Sequence, residues 1–146
     1  MRRTTLALAL AAFAAAPALA EQTASPEGAS VYFVDLEDGA TVSSPVTVRF
    51  GLKGMGVAPA GTEKAKTGHH HLLIDRPPLG EGEDGADELI YPVPADDNHR
   101  HFGGGQTEVE VELAPGEHTL QLVLGDHNHV PHDPPVTSKV ITIKVE

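Results

Sequence analysis

The sequence predicts an all-β protein, an immunoglobulin-like or fibronectin-like antiparallel β-sandwich of about seven strands. Two observations lead to this prediction. Apolar and polar residues alternate over several short segments, which is the period of half-buried strands, whereas no segment after residue 20 has helical periodicity. Turn residues separate these segments, and with 15 glycines and 12 prolines in 146 residues the strands must be short.

The predicted strands begin at residue 31 and continue to the C-terminal residues. The alternation is regular in the second strand, where Val46, Val48 and Phe50 share one face, and least regular in the fourth. Turns rich in glycine, proline or aspartate close most strands. The seven predicted strands cover residues 31–36, 46–53, 69–75, 88–93, 107–113, 118–125 and 136–145.

The first twenty residues have the pattern of a cleaved signal peptide. Arg2 and Arg3 precede an apolar stretch over residues 4–16, and a small-residue cleavage site follows at residues 18–20. The apolar stretch is too short to span a membrane, and no later segment approaches the roughly 18 apolar residues that a span needs. We therefore expect a periplasmic or secreted protein, with a flexible leader over residues 21–30 and one domain over residues 31–146.

The composition restricts which partners and which kinds of metal site the protein can have. The formal net charge is −11, and because the signal carries two arginines and no acidic residue, the mature chain has −13. This acidity argues against nucleic acid and anionic membranes as partners. The absence of cysteine excludes disulfides, thiolate zinc sites and blue-copper sites. Any metal ion must therefore be held by imidazole and carboxylate groups.

The nine histidines all lie between residues 69 and 132, and eight of them form three groups. The groups are residues 69–71, residues 99 and 101, and residues 127, 129 and 132, and each contains a His-x-His step. Alternate residues of an extended segment face the same way about 6.6 Å apart, so two such imidazoles can reach one ion at roughly 2.0–2.1 Å. If successive strands alternate in direction, the three groups lie in loops at one end of the sandwich.

The histidines that best suit a metal site share a face or stand beside glycine or proline, which fix the local backbone. The predicted ligands are His69, His71, His101, His129 and His132, with His99 and His127 as alternates, and Asp75 and Asp126 as carboxylates that orient the imidazoles by accepting their other ring N–H. Imidazoles without thiolate suit Cu(II) or Zn(II), and copper has the higher intrinsic affinity.

Two histidines have a structural interpretation. His70 alternates with Leu72 and Ile74, which favours a hydrogen-bonded interior histidine over a ligand. His118 begins the sixth predicted strand, at the opposite end from the histidine groups. We expect it to tie down the turn that follows Pro115, as a tyrosine does in related sandwiches.

Three functions are compatible with these features. The first is a Cu(II)- or Zn(II)-binding protein that acts as chaperone, buffer or sensor, with another exported protein as a further partner. The second is a non-catalytic interaction module whose histidine-rich end recognises a protein or a glycan. The third is a small metalloenzyme, although the chain has no esterase elbow, nucleotide-binding loop or zinc-protease motif.

Three stretches of the sequence resemble a known family. They are GHHHLLID at residues 68–75, HFGGGQTE at residues 101–108, and the histidine- and proline-rich pattern within residues 118–135. Together they are similar to the small exported bacterial proteins catalogued as domain of unknown function 4399, and the similarity extends from about residue 30 onward. The resemblance implies a secreted single-domain protein that shares these histidines, more firmly at 129 and 132 than at 127. It implies no particular activity.

Overall fold

A computed structural model describes residues 22–83 and 85–146, so the predicted signal peptide lies outside the described residues. These residues form an all-β structure of nine strands and one short 3-10 helix. The strands are β1 (Ser30–Val34), β2 (Thr41–Val42), β3 (Val46–Lys53), β4 (Gly56–Val57), β5 (Thr67–Ile74), β6 (His99–Phe102), β7 (Glu108–Val111), β8 (Gly116–Gly125) and β9 (Ile141–Val145), and the 3-10 helix covers Gly85–Leu89.

The strands form two sheets. The smaller sheet has three antiparallel strands in the order β1-β3-β7. The larger sheet has six strands in the order β2-β9-β8-β5-β4, and β6 also pairs with β5. Thus β5 is a central strand, with β8 along one edge and both β4 and β6 along the other.

The main core lies between the two sheets. In β3, Val46, Val48 and Phe50 are buried while the residues between them are exposed, as the alternation predicts. In the larger sheet, β5 and β8 add apolar residues from even-numbered positions, including Leu72 and Leu122, and β9 adds Ile141, Ile143 and Val145. Each fully buried side chain of this kind stabilises the fold by roughly 1.5–3 kcal/mol. We call this side of the larger sheet its inner face.

The opposite, outer face of the larger sheet is also covered. Leu73 and Val123 project from it and pack with Val93 and Leu79, which belong to the long connection between β5 and β6. This second apolar cluster explains why β5 is buried at every position from residue 68 to residue 74 instead of at alternate positions. The outer face therefore offers a buried environment for any polar side chain that points into it.

The predicted strand over residues 88–93 is wrong. The chain there forms the end of the 3-10 helix and an irregular stretch instead. Pro92 and Pro94 flank Val93, and proline cannot donate a ladder hydrogen bond, so a strand is disfavoured even though Val93 is buried.

The other six predicted strands exist. Residues 46–53 match β3 at both ends, whereas the other five have shifted ends, the last being much shorter than residues 136–145. Three strands of four residues or fewer, β2, β4 and β6, escaped the sequence analysis because a short segment shows no period. In the part of the chain that the structure describes, no helix has the length and apolar character needed to cross a membrane.

Candidate metal centre

Two histidines of β5 form the base of the site. His70, Leu72 and Ile74 point to the inner face, so the pleat directs His69 and His71 to the outer face. Both outer histidines are completely buried. Because β5 is paired on both edges, its backbone holds these two imidazoles in a fixed relation.

The other two histidines come from a strand and a loop. His101 on β6 lies directly opposite His71 in the sheet register and is exposed. His129 is half-buried in the loop over residues 126–132, which follows β8 and is called here the histidine loop. His129 has a φ of 68°, a left-handed conformation that is uncommon outside glycine. Strained backbone of this kind concentrates at functional positions.

The ring nitrogens of these four residues converge. His69 Nε2 lies 3.0 Å from His71 Nε2 and 3.0 Å from His129 Nδ1. Nitrogen atoms offered by His69, His71, His101 and His129 all lie within 4.8 Å of one another. Two nitrogens bound to one ion at 2.0–2.1 Å are separated by roughly 2.9–3.4 Å for bond angles from 90° to tetrahedral. The two 3.0 Å separations lie in this range, whereas the most distant nitrogens must move closer to share one ion. The four residues, called here the histidine cluster, could therefore hold a metal ion.

Two glycines make room for these rings. A Cβ atom on Gly125 would lie 2.7 Å from His71 Nε2, the atom that faces His69. A Cβ atom on Gly103 would lie 2.6 Å from His101 Nε2. Any larger residue at either position would push an imidazole out of the cluster, so both glycines serve the site by lacking a side chain.

Burial keeps the two β5 imidazoles of the cluster neutral. Desolvation, followed by repulsion from the neighbouring imidazoles, lowers the pKa of His71 to about 2. The same causes lower the pKa of His69 to about 4, although the Asp126 carboxylate opposes them. Desolvation and His129 also lower the pKa of His101. Neutral imidazoles carry a free lone pair at pH 7, as metal binding requires.

Asp126 organises the histidine loop. Its Oδ1 accepts hydrogen bonds from the backbone N–H of Asn128 at 2.8 Å and of Val130 at 3.0 Å. Its backbone carbonyl accepts from the N–H of His129 at 3.0 Å. The sequence predicts instead that Asp126 orients an imidazole ring. In the structure, Asp126 holds the backbone that carries His129. Its carboxylate orients neither buried ring, since His69 Nδ1 and His71 Nδ1 have no hydrogen-bond partner among the described residues.

A segment near the N-terminus braces the same loop. We call residues 22–25, which belong to the predicted leader, the N-terminal strap. The Thr23 hydroxyl donates to Asp126 Oδ2 at 2.8 Å, and the Gln22 side chain donates to the Pro131 carbonyl at 3.1 Å. Backbone hydrogen bonds join Ser25 N to Asp133 O and Asp133 N to Thr23 O. The strap thus adds hydrogen bonds to the loop beyond those that the loop makes within itself.

Besides Asp126, four predicted site residues lie outside the cluster. His132 is buried at the inner face, where its Cε1 lies 3.0 Å from the position of a Cβ on Gly68 and its Nδ1 lies 3.2 Å from the Leu124 carbonyl. The backbone of the larger sheet therefore separates it from His69 and His71. His127 contacts the Asn128 amide at 2.9 Å.

His99 and Asp75 are engaged elsewhere. His99 Nδ1 lies 2.8 Å from Asp96 Oδ1 and its Nε2 contacts the Arg76 guanidinium, so both ring nitrogens have partners. Asp75 Oδ2 lies 2.7 Å from His118 Nδ1, far along β5 from the cluster. Neither residue orients an imidazole of the cluster.

The two structural histidines occupy the expected places. His118 Nε2 lies 2.8 Å from the Ala114 carbonyl, so this ring spans the turn before β8. His70 is fully buried in the main core with its ring centroid 4.8 Å from that of Phe50. The expected hydrogen bond of His70 is not found, because neither ring nitrogen has a partner within the residues described.

Sequence reasoning missed Gly125 and Thr23. Gly125 ends a strand and directly precedes the third histidine group, a position where a glycine allows close approach of another group. Thr23 lies in a small polar segment whose contacts depend on the folded loop. Only the glycine had a signal in the sequence.

Comparison with known proteins gives a family. Among curated proteins and among solved structures, none matches the chain significantly. Residues 48–146 match the family described as Domain of unknown function (DUF4399), and the matched segment contains all four histidines of the cluster and both glycines that admit their rings. Since the match covers more than half of the chain, this protein belongs to the DUF4399 family.

Proposed function

We propose that this protein is an exported binding protein for one transition-metal ion, Cu(II) or Zn(II). The ligands are His69, His71, His101 and His129. The signal-peptide pattern of residues 1–20 supports export to the periplasm or the cell exterior. An ion held by imidazoles alone fits a role as chaperone, buffer or sensor.

The observation that carries this proposal is the double contact of His69 Nε2. A ring nitrogen has either one hydrogen or one lone pair, so it makes a good hydrogen bond to only one neighbour. His69 Nε2 lies 3.0 Å from ring nitrogens of two other histidines. An ion at the centre satisfies all three nitrogens at once, which no arrangement of ring hydrogens achieves.

Calorimetric titration of the mature protein with Cu(II) and with Zn(II) tests the proposal. We expect one ion per chain with a sub-micromolar dissociation constant at pH 7, and weaker binding at about pH 4, where protons begin to compete for His69. His71→Ala should weaken binding by more than 100-fold, which exceeds the roughly 10–100-fold typical of residues that only orient ligands.

His127→Ala is the matched control, since His127 is in the same loop as His129 but outside the cluster. It should bind as the unmodified protein does. Weak binding at several sites, unaffected by His71→Ala, would sink the metal-binding proposal. The protein would then be better explained as an interaction module.

We also propose that the two sheets form a variant of the immunoglobulin-like sandwich. Two features support this. The order β1-β3-β7 corresponds to the four-stranded sheet of that fold without its last strand, and the order β9-β8-β5 within the larger sheet corresponds to the three-stranded sheet. An experimental structure with a different strand order would overturn the assignment.

A further inference from the structure

We infer that the bound ion is exchanged with external ligands at the position of His101, while His69, His71 and His129 retain it. This inference rests on the proposed metal-binding function. It assigns unequal roles to the four ligands and names the face of the molecule through which metal passes. The external ligand is a nitrogen donor of the imidazole class, such as a histidine side chain of an acceptor protein.

Burial separates the ligands into two kinds. His69 and His71 have no exposed surface, and His129 is half-buried, whereas His101 is exposed. An external donor therefore meets His101 first. An external donor cannot reach either buried β5 histidine unless the surrounding chain moves, and hydrogen bonds join the histidine loop to Thr23, Gly61 and Val93.

The strands that carry the ligands also differ in how firmly the sheet holds them, and the more exposed ligand is on the less firmly held strand. β5 pairs along both edges and belongs to the centre of the larger sheet. β6 has four residues and, within the described chain, pairs only with β5. Short edge strands open at lower free energy than central strands. His101 can thus leave the ion without disturbing the core.

Space for an incoming ligand lies beside His101. An open cavity of about 410 Å³ is lined by Ala95, Asp96, Asp97, His99, Arg100 and His101. This exceeds the volume of several water molecules at about 30 Å³ each, so an imidazole can enter. Asp96, Asp97 and Arg100 together leave a formal charge of −1 at this opening, which favours the passage of the metal cation.

The exchange is a ligand substitution without redox change. The lone pair of the incoming imidazole nitrogen forms a bond to the ion as the bond from the ion to His101 breaks. The displaced His101 keeps its lone pair and turns toward the solvent. Charge is conserved, because both imidazoles are neutral at pH 7. Transfer is complete when further donors of the acceptor replace the remaining three ligands.

The experiment compares His101→Ala with His71→Ala by copper(II) absorption and electron paramagnetic resonance. We expect His101→Ala to retain one Cu(II) per chain with an altered spectrum. Millimolar imidazole should restore the spectrum of the unmodified protein by filling the vacant position. Transfer of Cu(II) to free histidine should be at least tenfold faster from His101→Ala, and its rate in the unmodified protein should rise with histidine concentration.

Gly103→Ala supplies a second variant, since its Cβ would displace the His101 ring. Gly103→Ala should also accelerate the transfer of Cu(II) to free histidine. The inference is overturned if His101→Ala loses Cu(II) as completely as His71→Ala, or if imidazole restores both variants at equal rates. An unmodified protein that binds neither Cu(II) nor Zn(II) stoichiometrically would instead refute the proposed function, and the inference would fall with it.

Discussion

The two faces of β5 both carry buried histidines, but the neighbouring side chains differ. His70 on the inner face packs against Phe50 and Phe102, whereas His69 and His71 on the outer face meet other imidazoles. All three are completely buried, and desolvation is the largest cause that lowers each pKa. Burial thus makes a histidine neutral on either face. Only the convergence of ring nitrogens makes a ligand set.

The largest expected effect is a loss of stability in acid when no metal is present, and it should be similar on both faces. The pKa is lowered to about 4 for His70 and to about 2 for His71, while the unfolded chain has the ordinary value near 6.5. The unfolded state therefore binds more protons below pH 6.5, and stability falls as pH decreases. Between pH 7 and pH 4.5 each histidine should cost about 2–3 kcal/mol.

Urea denaturation in the presence of a chelator measures this loss. The matched variants His70→Leu and His71→Leu should each reduce the acid-induced loss by about the same amount, because each removes one titrating group. A variant whose loss equals that of the unmodified protein would show that its histidine is already protonated at pH 7 or is accessible to water.

Adding metal should separate the two faces. An ion at 100 times its dissociation constant stabilises the folded state by about 2.7 kcal/mol. For a domain of this size that raises the melting temperature by roughly 10 °C. We expect this rise in the unmodified protein and in His70→Leu, and its loss in His71→Leu. An equal rise in both variants would place the ion away from the outer face.

Gly125→Ala tests the outer face without removing a ligand. The added methyl group would lie 2.7 Å from His71 Nε2 and 3.0 Å from its Cδ2, so the ring must shift. We expect a loss of about 1–3 kcal/mol in unfolding free energy and at least tenfold weaker metal binding. Gly56→Ala is the control, since its Cβ would meet only Thr67 Cγ2 at 3.6 Å, an ordinary contact. Similar effects of both substitutions would count against a specific clash with His71.

Thr23→Val tests the N-terminal strap. This change keeps the shape of the side chain but removes the hydroxyl that donates to Asp126. The loop that carries His129 should become more mobile, so metal binding should weaken severalfold and stability should fall by about 1 kcal/mol. Thr47→Val on the exposed side of β3 should change neither quantity. Calorimetric titration compares the two variants.

The sequence was sufficient to predict the larger features of the fold. Alternation, or a short apolar run bounded by turn residues, identified six of the strands, because each contributes apolar side chains to the main core. It failed between residues 76 and 98, where Val93 is buried by tertiary packing against the outer face with no strand around it. A segment that covers a sheet face is buried by irregular contacts, and such contacts leave no periodic pattern in the sequence.

The candidate site was predicted in part for a similar reason. The His-x-His step on β5 placed His69 and His71 on one face, and β6 and the histidine loop added His101 and His129. The cluster, however, lies over the outer face of the larger sheet, with three ligands on strands, whereas the sequence predicts three loops at one end. The fate of His132 also depends on tertiary structure, since the histidine loop turns it to the inner face.

Substitution of His118 has the smallest expected effect on stability, and the dependence of that effect on pH has the opposite sign. Desolvation lowers its pKa, but the hydrogen bonds to the Ala114 carbonyl and the Asp75 carboxylate outweigh it, and the net pKa is raised. Both ring nitrogens face acceptors, at 2.8 Å and 2.7 Å, so only the protonated ring donates to both. Its contribution to stability is therefore fully present below pH 6.5 and is lost as pH rises through the raised pKa.

Comparison of the unmodified protein with His118→Gln at pH 5.5 and pH 8.5 measures this contribution. We expect a difference in unfolding free energy of about 1 kcal/mol at pH 5.5 that shrinks at pH 8.5. Metal binding should be the same in both proteins at either pH, because His118 lies at the other end of β5 from the cluster. A difference that grows with pH would mean that the neutral ring is the stabilising form, and that burial governs His118 as it governs His70 and His71.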